Sequence, residues 1–208
     1  SSLLKKAASK ISDSDSEYLE FKEKESFWLE KFAVFTALKE KNHMRSHHYW
    51  KYKSAEDIAA LKNEISTHSK IQYLFYSQWL KLKKYANDKG ITIVGDLPVY
   101  PAEDSSDYYF SPQMFLKGRV AAVPPDIFSE NGQLWGNPVY DWQQLKESNY
   151  SWWKERIRNA LRLYDSIRID HFRGFAGYYN IPYGQTTARG GKWDSAPGIS
   201  LFRTIARN

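Results

Sequence analysis

The sequence contains the segment Arg168-Ile169-Asp170-His171-Phe172-Arg173-Gly174, a short apolar run that ends in an aspartate and a turn. Side chains alternate between the two faces of a strand, so Arg168 and Asp170 point to one side and Ile169 to the other. A guanidinium beside a carboxylate favours the ionised form and can fix its orientation through paired hydrogen bonds. These are the conditions that a carboxylate nucleophile needs, although an ordinary ion pair at a strand end has the same pattern.

The stretch before this segment repeats an arrangement found earlier in the chain. Residues 150–164 have the periodicity of an amphipathic helix, and so do residues 54–90, which precede Ile91-Thr92-Ile93-Val94. We predict that this β-branched run is a strand buried on both faces, ending at Gly95-Asp96. Two helix-to-strand units in succession predict parallel α/β construction, with the carboxyl ends of the strands at one rim.

The fold class is therefore predicted to be α/β, as part of a (β/α)8 barrel whose catalytic residues stand at the strand ends. Asp96 and Asp170 would then face one cleft. A doubly wound open sheet follows the same rule, but neither strand is followed by a glycine-rich phosphate-binding motif. The preceding residues 12–42 show near-helical spacing of aromatic residues, so we predict a helical subdomain or insertion at 1–53 and the partial barrel at 54–208.

Residues 99–149 are rich in proline, glycine and aromatic residues and are predicted to form a long loop. Within it, two turn-rich motifs place Asp126 near Phe128 and Gln133 near Trp135. Aromatic rings beside amide and carboxylate groups suit a sugar, whose C–H face stacks on a ring while its hydroxyls form directional hydrogen bonds. The alternative is that these aromatic residues only pack the loop onto the scaffold.

The composition limits the classes of protein that fit. With 208 residues, 42% of them hydrophobic, the chain can bury a core, and it contains no cysteine for disulfides or thiolate metal sites. His47 and His48 lack carboxylates at ligand spacing, so no metal or cofactor is expected. The net charge of +6 leaves a nucleic-acid-binding domain as a weak option, because much of the excess lies on helical segments. No membrane span or signal segment is recognisable, and a cytoplasmic location is expected.

Several motifs together resemble the 4-α-glucanotransferases, also called amylomaltases or disproportionating enzymes, over about residues 91–191. The motifs are, in chain order, Gly95-Asp96-Leu97-Pro98-Val99-Tyr100, Ala102-Glu103-Asp104-Ser105, Val123-Pro124-Pro125-Asp126, Phe128-Ser129, Gly132-Gln133-Leu134-Trp135-Gly136-Asn137-Pro138 and the segment 168–174. Residues 1–90 resemble the family only in their helical character.

The resemblance implies a barrel enzyme of the α-amylase clan that transfers α-1,4-glucan segments between malto-oligosaccharides with retention. It implies that Asp170 is the nucleophile, that Arg168 orients its carboxylate and that Asp96 lines the cleft near the donor sugar. Asp126 and Trp135, with their neighbours Phe128 and Gln133, become sugar-contacting candidates on a loop over the substrate. His171, which follows the nucleophile, is a further substrate-binding candidate.

The same resemblance leads us to expect that this chain is a middle piece of the enzyme. A retaining reaction needs a second carboxyl group as acid/base, and the family's glutamate and a third aspartate are expected beyond residue 208. The chain alone is then expected to be inactive, and a non-catalytic glucan-binding or structural piece remains the alternative. Chain-length preference and oligomeric state are left open.

Overall fold

The computed structural model describes residues 2–207 and divides the chain into two compact units, Ser1–Thr92 and Ile93–Asn208. Ser1 and Asn208 themselves lie outside the described residues. Along the chain, the division falls between residues 92 and 93, before the first strand, so the domain boundary that we expected at residues 53 and 54 lies inside the first unit.

The first unit is helical. Its helices are α1 (Ser2–Ala8), α2 (Ser16–Lys24), α3 (Leu29–Lys41), α4 (Ala55–Ala60) and α5 (Lys62–Asp88). Helix α5 packs against α1, α2 and α3, with ring contacts such as Tyr18–Tyr73 at 5.7 Å and Trp28–Tyr76 at 5.6 Å between centroids. Because α5 contributes to the same core as the helices before it, residues on both sides of the expected boundary belong to one packed unit.

The connection between α3 and α4 is fixed by one buried amide. Asn42 is 4% exposed; its Nδ2 donates to the carbonyls of Leu38 and Tyr52, and its Oδ1 accepts from the backbone N–H groups of Lys51 and Tyr52. Helix α4 then begins at a capping box in which Ser54 and Asp57 bond each other's backbone. This amide and this cap hold a histidine-rich segment that has little regular structure of its own.

The second unit combines a parallel strand pair with an antiparallel sheet. Its elements are β1 (Val94–Leu97), α6 (Ser106–Phe110), β2 (Phe115–Val123), β3 (Gln133–Tyr140), α7 (Trp142–Glu147), α8 (Ser151–Leu163), β4 (Ser166–Ile169), β5 (Gly177–Pro182), β6 (Lys192–Ser195) and α9 (Ile199–Ala206). Strands β1 and β4 pair in parallel, with Asp96 opposite Arg168. The predicted parallel arrangement of the two aspartate-bearing strands is therefore confirmed.

The prediction for residues 91–94 is wrong. Strand β1 begins at Val94, and both Ile91 and Val94 are exposed, at 59% and 64%. In the part of the chain that the structure describes, β1 pairs only with β4, so one edge of the strand and part of its apolar surface stay uncovered.

The region 99–149 is not the long loop that the sequence predicted. It contains the antiparallel pair β2–β3, which forms one side of a four-stranded sheet in the order β3-β2-β5-β6. Proline misled the prediction, because Pro138 lies within β3, and β3 is an edge strand where a residue without an N–H is tolerated. The remaining turn formers lie between the strands, where Gly132 has a φ of +68° and a Cβ would overlap the Val123 carbonyl.

Buried aromatic side chains connect the helices and strands of this unit. Tyr140 and Trp153 are fully buried, and their rings lie 5.6 Å apart. Phe175, 1% exposed, lies 5.0 Å from the Trp153 ring. Tyr164, directly after helix α8, packs against Gly95 of β1, and a Cβ at residue 95 would overlap the Tyr164 ring. The close contact that glycine permits brings the end of α8 against β1.

Trp153→Ala is expected to lower the free energy of unfolding of the second unit by about 3–5 kcal/mol, because it leaves a large cavity in a packed core. Leu161→Ala, on the same helix at a position 48% exposed, is the matched control and should cost no more than about 0.5 kcal/mol. Urea unfolding followed by near-ultraviolet circular dichroism measures both. Equal losses for the two variants would contradict the assignment of Trp153 to the core.

Candidate active site

The candidate site is centred on Arg168. Its Nε and Nη2 donate to the two carboxylate oxygens of Asp96, at 3.1 and 2.7 Å, and its Nη2 also donates to Oδ1 of Asp170 at 3.2 Å. Hydrogen bonding to Asp96 and the charges of both carboxylates raise the pKa of the guanidinium above its ordinary value. The three side chains form an ion cluster on one face of the parallel pair.

The cluster differs from the expected arrangement in one respect. We expected the paired hydrogen bonds of Arg168 to hold Asp170, but they hold Asp96, and Asp170 receives one bond. Spacing explains this: register partners on neighbouring strands stand about 4.8 Å apart, whereas residues two positions apart on one strand are separated by about 6.6 Å. The backbone N–H of Asp170 donates to the Leu97 carbonyl at 2.9 Å, which continues the ladder to the proposed nucleophile.

His171 adopts a left-handed backbone conformation, with a φ of +49°, directly after Asp170. Its ring lies 4.8 Å from that of Trp135 at an interplanar angle of 82°. Burial lowers the pKa of His171 below its ordinary value; Asp170 opposes this shift and Arg173 adds to it. The imidazole is therefore biased towards its neutral form beside the ion cluster.

Gln133 and Trp135 stand in strand β3 and not on a loop. Residues two apart share one face of a strand, and the Trp135 indole N–H donates to Gln133 Oε1 at 3.1 Å. Trp135 is 36% exposed, and its ring contact with His171 brings β3 next to the strand-end cluster. The structure thus brings together five candidates: Asp96, Arg168, Asp170, His171 and Trp135, with Gln133 bonded to the last.

Asp126 and Phe128 lie at the tip between β2 and β3. Oδ1 of Asp126 accepts the backbone N–H groups of Phe128 and Ser129, each at 2.9 Å, so this carboxylate shapes the turn. Phe128 is 90% exposed. Among residues 2–207, no hydrogen bond or ring contact joins these two candidates to the Arg168 cluster.

Sequence reasoning missed Arg156, on helix α8. Its guanidinium donates to the Pro98 carbonyl at 2.6 Å and to the Val99 carbonyl at 3.0 Å, directly after the strand that carries Asp96. It also lies over the rings of Trp152 and Trp153, at 5.1 and 4.9 Å. The signal in the sequence is an arginine three and four residues after two tryptophans on one helix, a spacing that brings them into contact.

The described residues, 2–207, contain no group of three or more histidine, cysteine, aspartate or glutamate side chains that could hold a metal ion. Over the same residues no helix has both the length and the apolar character needed to cross a membrane.

The whole chain is similar to known proteins. A family model described as 4-alpha-glucanotransferase matches residues 1–208, so the match includes the first ninety residues, for which we had noted only helical character. The 4-alpha-glucanotransferase of Clostridium butyricum is 43% identical over 98% of this chain, and that of Thermus thermophilus is 43% identical over 89%.

A solved structure of similar fold is the amylomaltase from Streptococcus agalactiae in complex with acarbose. It matches 99% of this chain with a TM-score of 0.91 and 39% identity. The chain spans 45% of the length of that protein, and 45% and 40% of the two relatives named above.

Two substitutions test the charge balance around His171. Asp170→Asn should lower the pKa of His171 further, because it removes a negative charge that favours the imidazolium; Arg173→Gln should raise it, because it removes a positive one. Titration of the His171 ring by NMR in the 208-residue chain measures both shifts. Shifts in one common direction would contradict the arrangement.

The same pKa shift predicts how stability depends on pH. His171 binds a proton less readily in the folded state than in the unfolded chain. The contribution of His171 to the free energy of unfolding is therefore complete above the ordinary histidine pKa of about 6.5, and it declines as the pH falls below that value.

Proposed function

Because this chain belongs to the 4-alpha-glucanotransferase family, we propose that it carries the nucleophile of an enzyme that transfers α-1,4-glucan segments between malto-oligosaccharides. The observation that carries the proposal is the strand-end cluster in which Arg168 contacts both Asp96 and Asp170. Family membership alone does not assign roles to residues. The cluster supports the assignment because its carboxylates stand towards the carboxyl ends of two parallel strands, and barrel enzymes carry their catalytic residues at such strand ends.

The barrel itself belongs to the proposal. We infer that β1 and β4 are neighbouring strands of a (β/α)8 barrel, with the helical residues before them as an addition to it. The parallel pairing and the close likeness to the amylomaltase of Streptococcus agalactiae support this arrangement. The antiparallel sheet of β2, β3, β5 and β6 would then stand beside the rim where the strands end.

In the proposed reaction, Asp170 attacks the anomeric carbon of the donor glucan. The bond from that carbon to the glycosidic oxygen breaks, an ester bond to the Asp170 carboxylate forms, and a second carboxyl group protonates the departing oxygen. The 4-hydroxyl of the acceptor then attacks the same carbon, releases Asp170 and gives its proton to that second group. The reaction needs no cofactor.

The second carboxyl group must lie about 5–5.5 Å from Asp170 for a retaining reaction. We expect it, with a third aspartate, in the part of the family's length that this chain does not span. Arg168 would orient Asp170, and its two hydrogen bonds to Asp96 would hold the guanidinium in place. The alternative, a non-catalytic glucan-binding or structural piece, applies if no such partner is supplied.

Sugar contacts are proposed for the surrounding side chains. The Trp135 ring offers a face for the C–H surface of a glucose unit, and the amide of Gln133 offers hydrogen bonds. His171, Asp96, Asp126 and Phe128 are proposed as further contacts, and the last two lie on the turn between β2 and β3, where both are exposed to solvent. The complex of the Streptococcus agalactiae relative with acarbose supports a sugar ligand for this family. A cytoplasmic location fits a chain without cysteine and stays part of the proposal.

Asp170→Asn is expected to abolish transfer while leaving the fold and glucan binding intact, since an amide is a far poorer nucleophile. Arg168→Ala should lower the rate less, because the carboxylate remains. Both are assayed in a polypeptide of the relatives' full length that contains this chain, with maltotriose as substrate and chromatography of the products.

The 208-residue chain should give no products, since general acid–base catalysis is worth about 10²–10⁴-fold. Glucose and longer oligomers formed by this chain would contradict the expectation that its acid/base group is missing.

Trp135→Ala is expected to weaken binding of maltose-series sugars by roughly 1–3 kcal/mol, the scale of losing a well-placed aromatic contact. Trp193→Ala, which removes another exposed indole from the same sheet, is the matched control and should leave affinity unchanged. Calorimetric titration and thermal melts distinguish the two roles of Trp135. A lower melting temperature with unchanged sugar affinity would support packing alone.

A further inference from the structure

The carboxyl end of strand β1 is held by an arginine that the proposed reaction does not use. Pairing of β1 with β4 ends at Leu97, so the carbonyls of Pro98 and Val99 extend beyond the paired residues. Arg156, on helix α8, donates to both carbonyls, through Nη2 to Pro98 at 2.6 Å and through Nη1 to Val99 at 3.0 Å. The backbone at this strand end is therefore fixed from outside the parallel pair.

The guanidinium of Arg156 is itself held in a defined position. Its Cζ lies 5.1 and 4.9 Å from the ring centroids of Trp152 and Trp153, and its Nη1 also donates to the Tyr140 hydroxyl at 3.3 Å. Burial raises the pKa of Tyr140, so the phenol keeps the proton that it donates to the Val99 carbonyl at 2.7 Å. A lysine ammonium lacks both the planar fork and the stacking that this position uses.

The two carbonyls lie next to the groups of the ion cluster along the chain. Asp96 precedes Leu97, whose carbonyl accepts the backbone N–H of Asp170 at 2.9 Å. Proline at position 98 fixes its own φ and restricts Leu97 to extended conformations. Because few soft dihedrals are left to absorb it, a shift of the Pro98 carbonyl is passed to Leu97 and Asp96.

We propose that Arg156 is a positioning residue for glucan transfer: by holding the end of β1, it sets the positions of Asp96 and Asp170 in the ion cluster. Its effect on transfer rests on the proposed function, whereas the hydrogen bonds that position the strand end are independent of any substrate. Arg156 acts through the backbone and takes no part in making or breaking bonds. Small displacements matter, because a misplacement of about 1 Å can lower a rate by about 10²-fold.

The first test is spectroscopic and needs no substrate. In the 208-residue chain, Arg156→Lys should shift the NMR resonances of the Asp170 backbone amide and the Arg168 Nε–H group, because both hydrogen bonds depend on the position of β1. Arg158→Lys is the matched control: this side chain, on the same helix, is 54% exposed and pairs with Glu155. The control should leave both resonances unchanged. Unchanged resonances in Arg156→Lys as well would overturn the inference.

The second test is kinetic and uses a polypeptide of the relatives' full length that contains this chain, with maltotriose as substrate. Arg156→Lys should lower kcat by about 10- to 100-fold and leave KM nearly unchanged, because the sugar contacts remain while the reacting group is misplaced. Arg158→Lys should change neither constant. Circular dichroism gives the folded fraction to which each kcat is referred. A lower melting temperature with an unchanged kcat for the folded protein would assign Arg156 a structural role alone and overturn the inference.

Asp170→Asn separates this inference from the proposed function. If Asp170→Asn transfers glucan as well as the unsubstituted polypeptide, the proposed function is overturned, together with the role of Arg156 in it. If Asp170→Asn abolishes transfer but Arg156→Lys and Arg158→Lys have equal kcat, the proposed function stands and the positioning role alone is overturned.

Discussion

The parallel pairing of β1 with β4 is the constraint on which the candidate site depends. Its register places Asp96 opposite Arg168, so the guanidinium donates two hydrogen bonds across the strands to Asp96 and one to Asp170. Arg156 fixes the backbone that follows β1 by bonding the carbonyls of Pro98 and Val99. A shift of one residue in this register would turn Asp96 to the opposite face, and its hydrogen bonds with Arg168 would be lost.

The aromatic core of the second unit is coupled to the same backbone. The buried hydroxyl of Tyr140 donates to the Val99 carbonyl at 2.7 Å, and Arg156 reaches both groups. Tyr140 ends β3, the strand that carries Gln133 and Trp135. One buried side chain therefore links the packing of α8 and β3 to the end of β1, and a change in the core would move the proposed sugar platform relative to the ion cluster.

The sequence predicted the parts of the fold whose signals are local. Periodic helices followed by runs ending in aspartate predicted the parallel pair, with Asp96 and Asp170 towards the carboxyl ends of its strands. The β2–β3 pair was missed because its strand character comes from pairing across a proline- and glycine-rich region. The preference of Arg168 for Asp96 was missed because register is a tertiary property that spacing along one strand does not contain.

The ion cluster of Arg168, Asp96 and Asp170 is open to solvent. The side chains of Arg168, Asp96 and Asp170 are 65%, 57% and 58% exposed, and ion pairs so open to water stabilise a fold little. One guanidinium against two carboxylates leaves a net negative charge, which would suit the proposed reaction, because its transition state develops positive charge at the anomeric carbon. The lowered pKa of His171 preserves that balance, because a protonated imidazole beside Asp170 would cancel the excess negative charge.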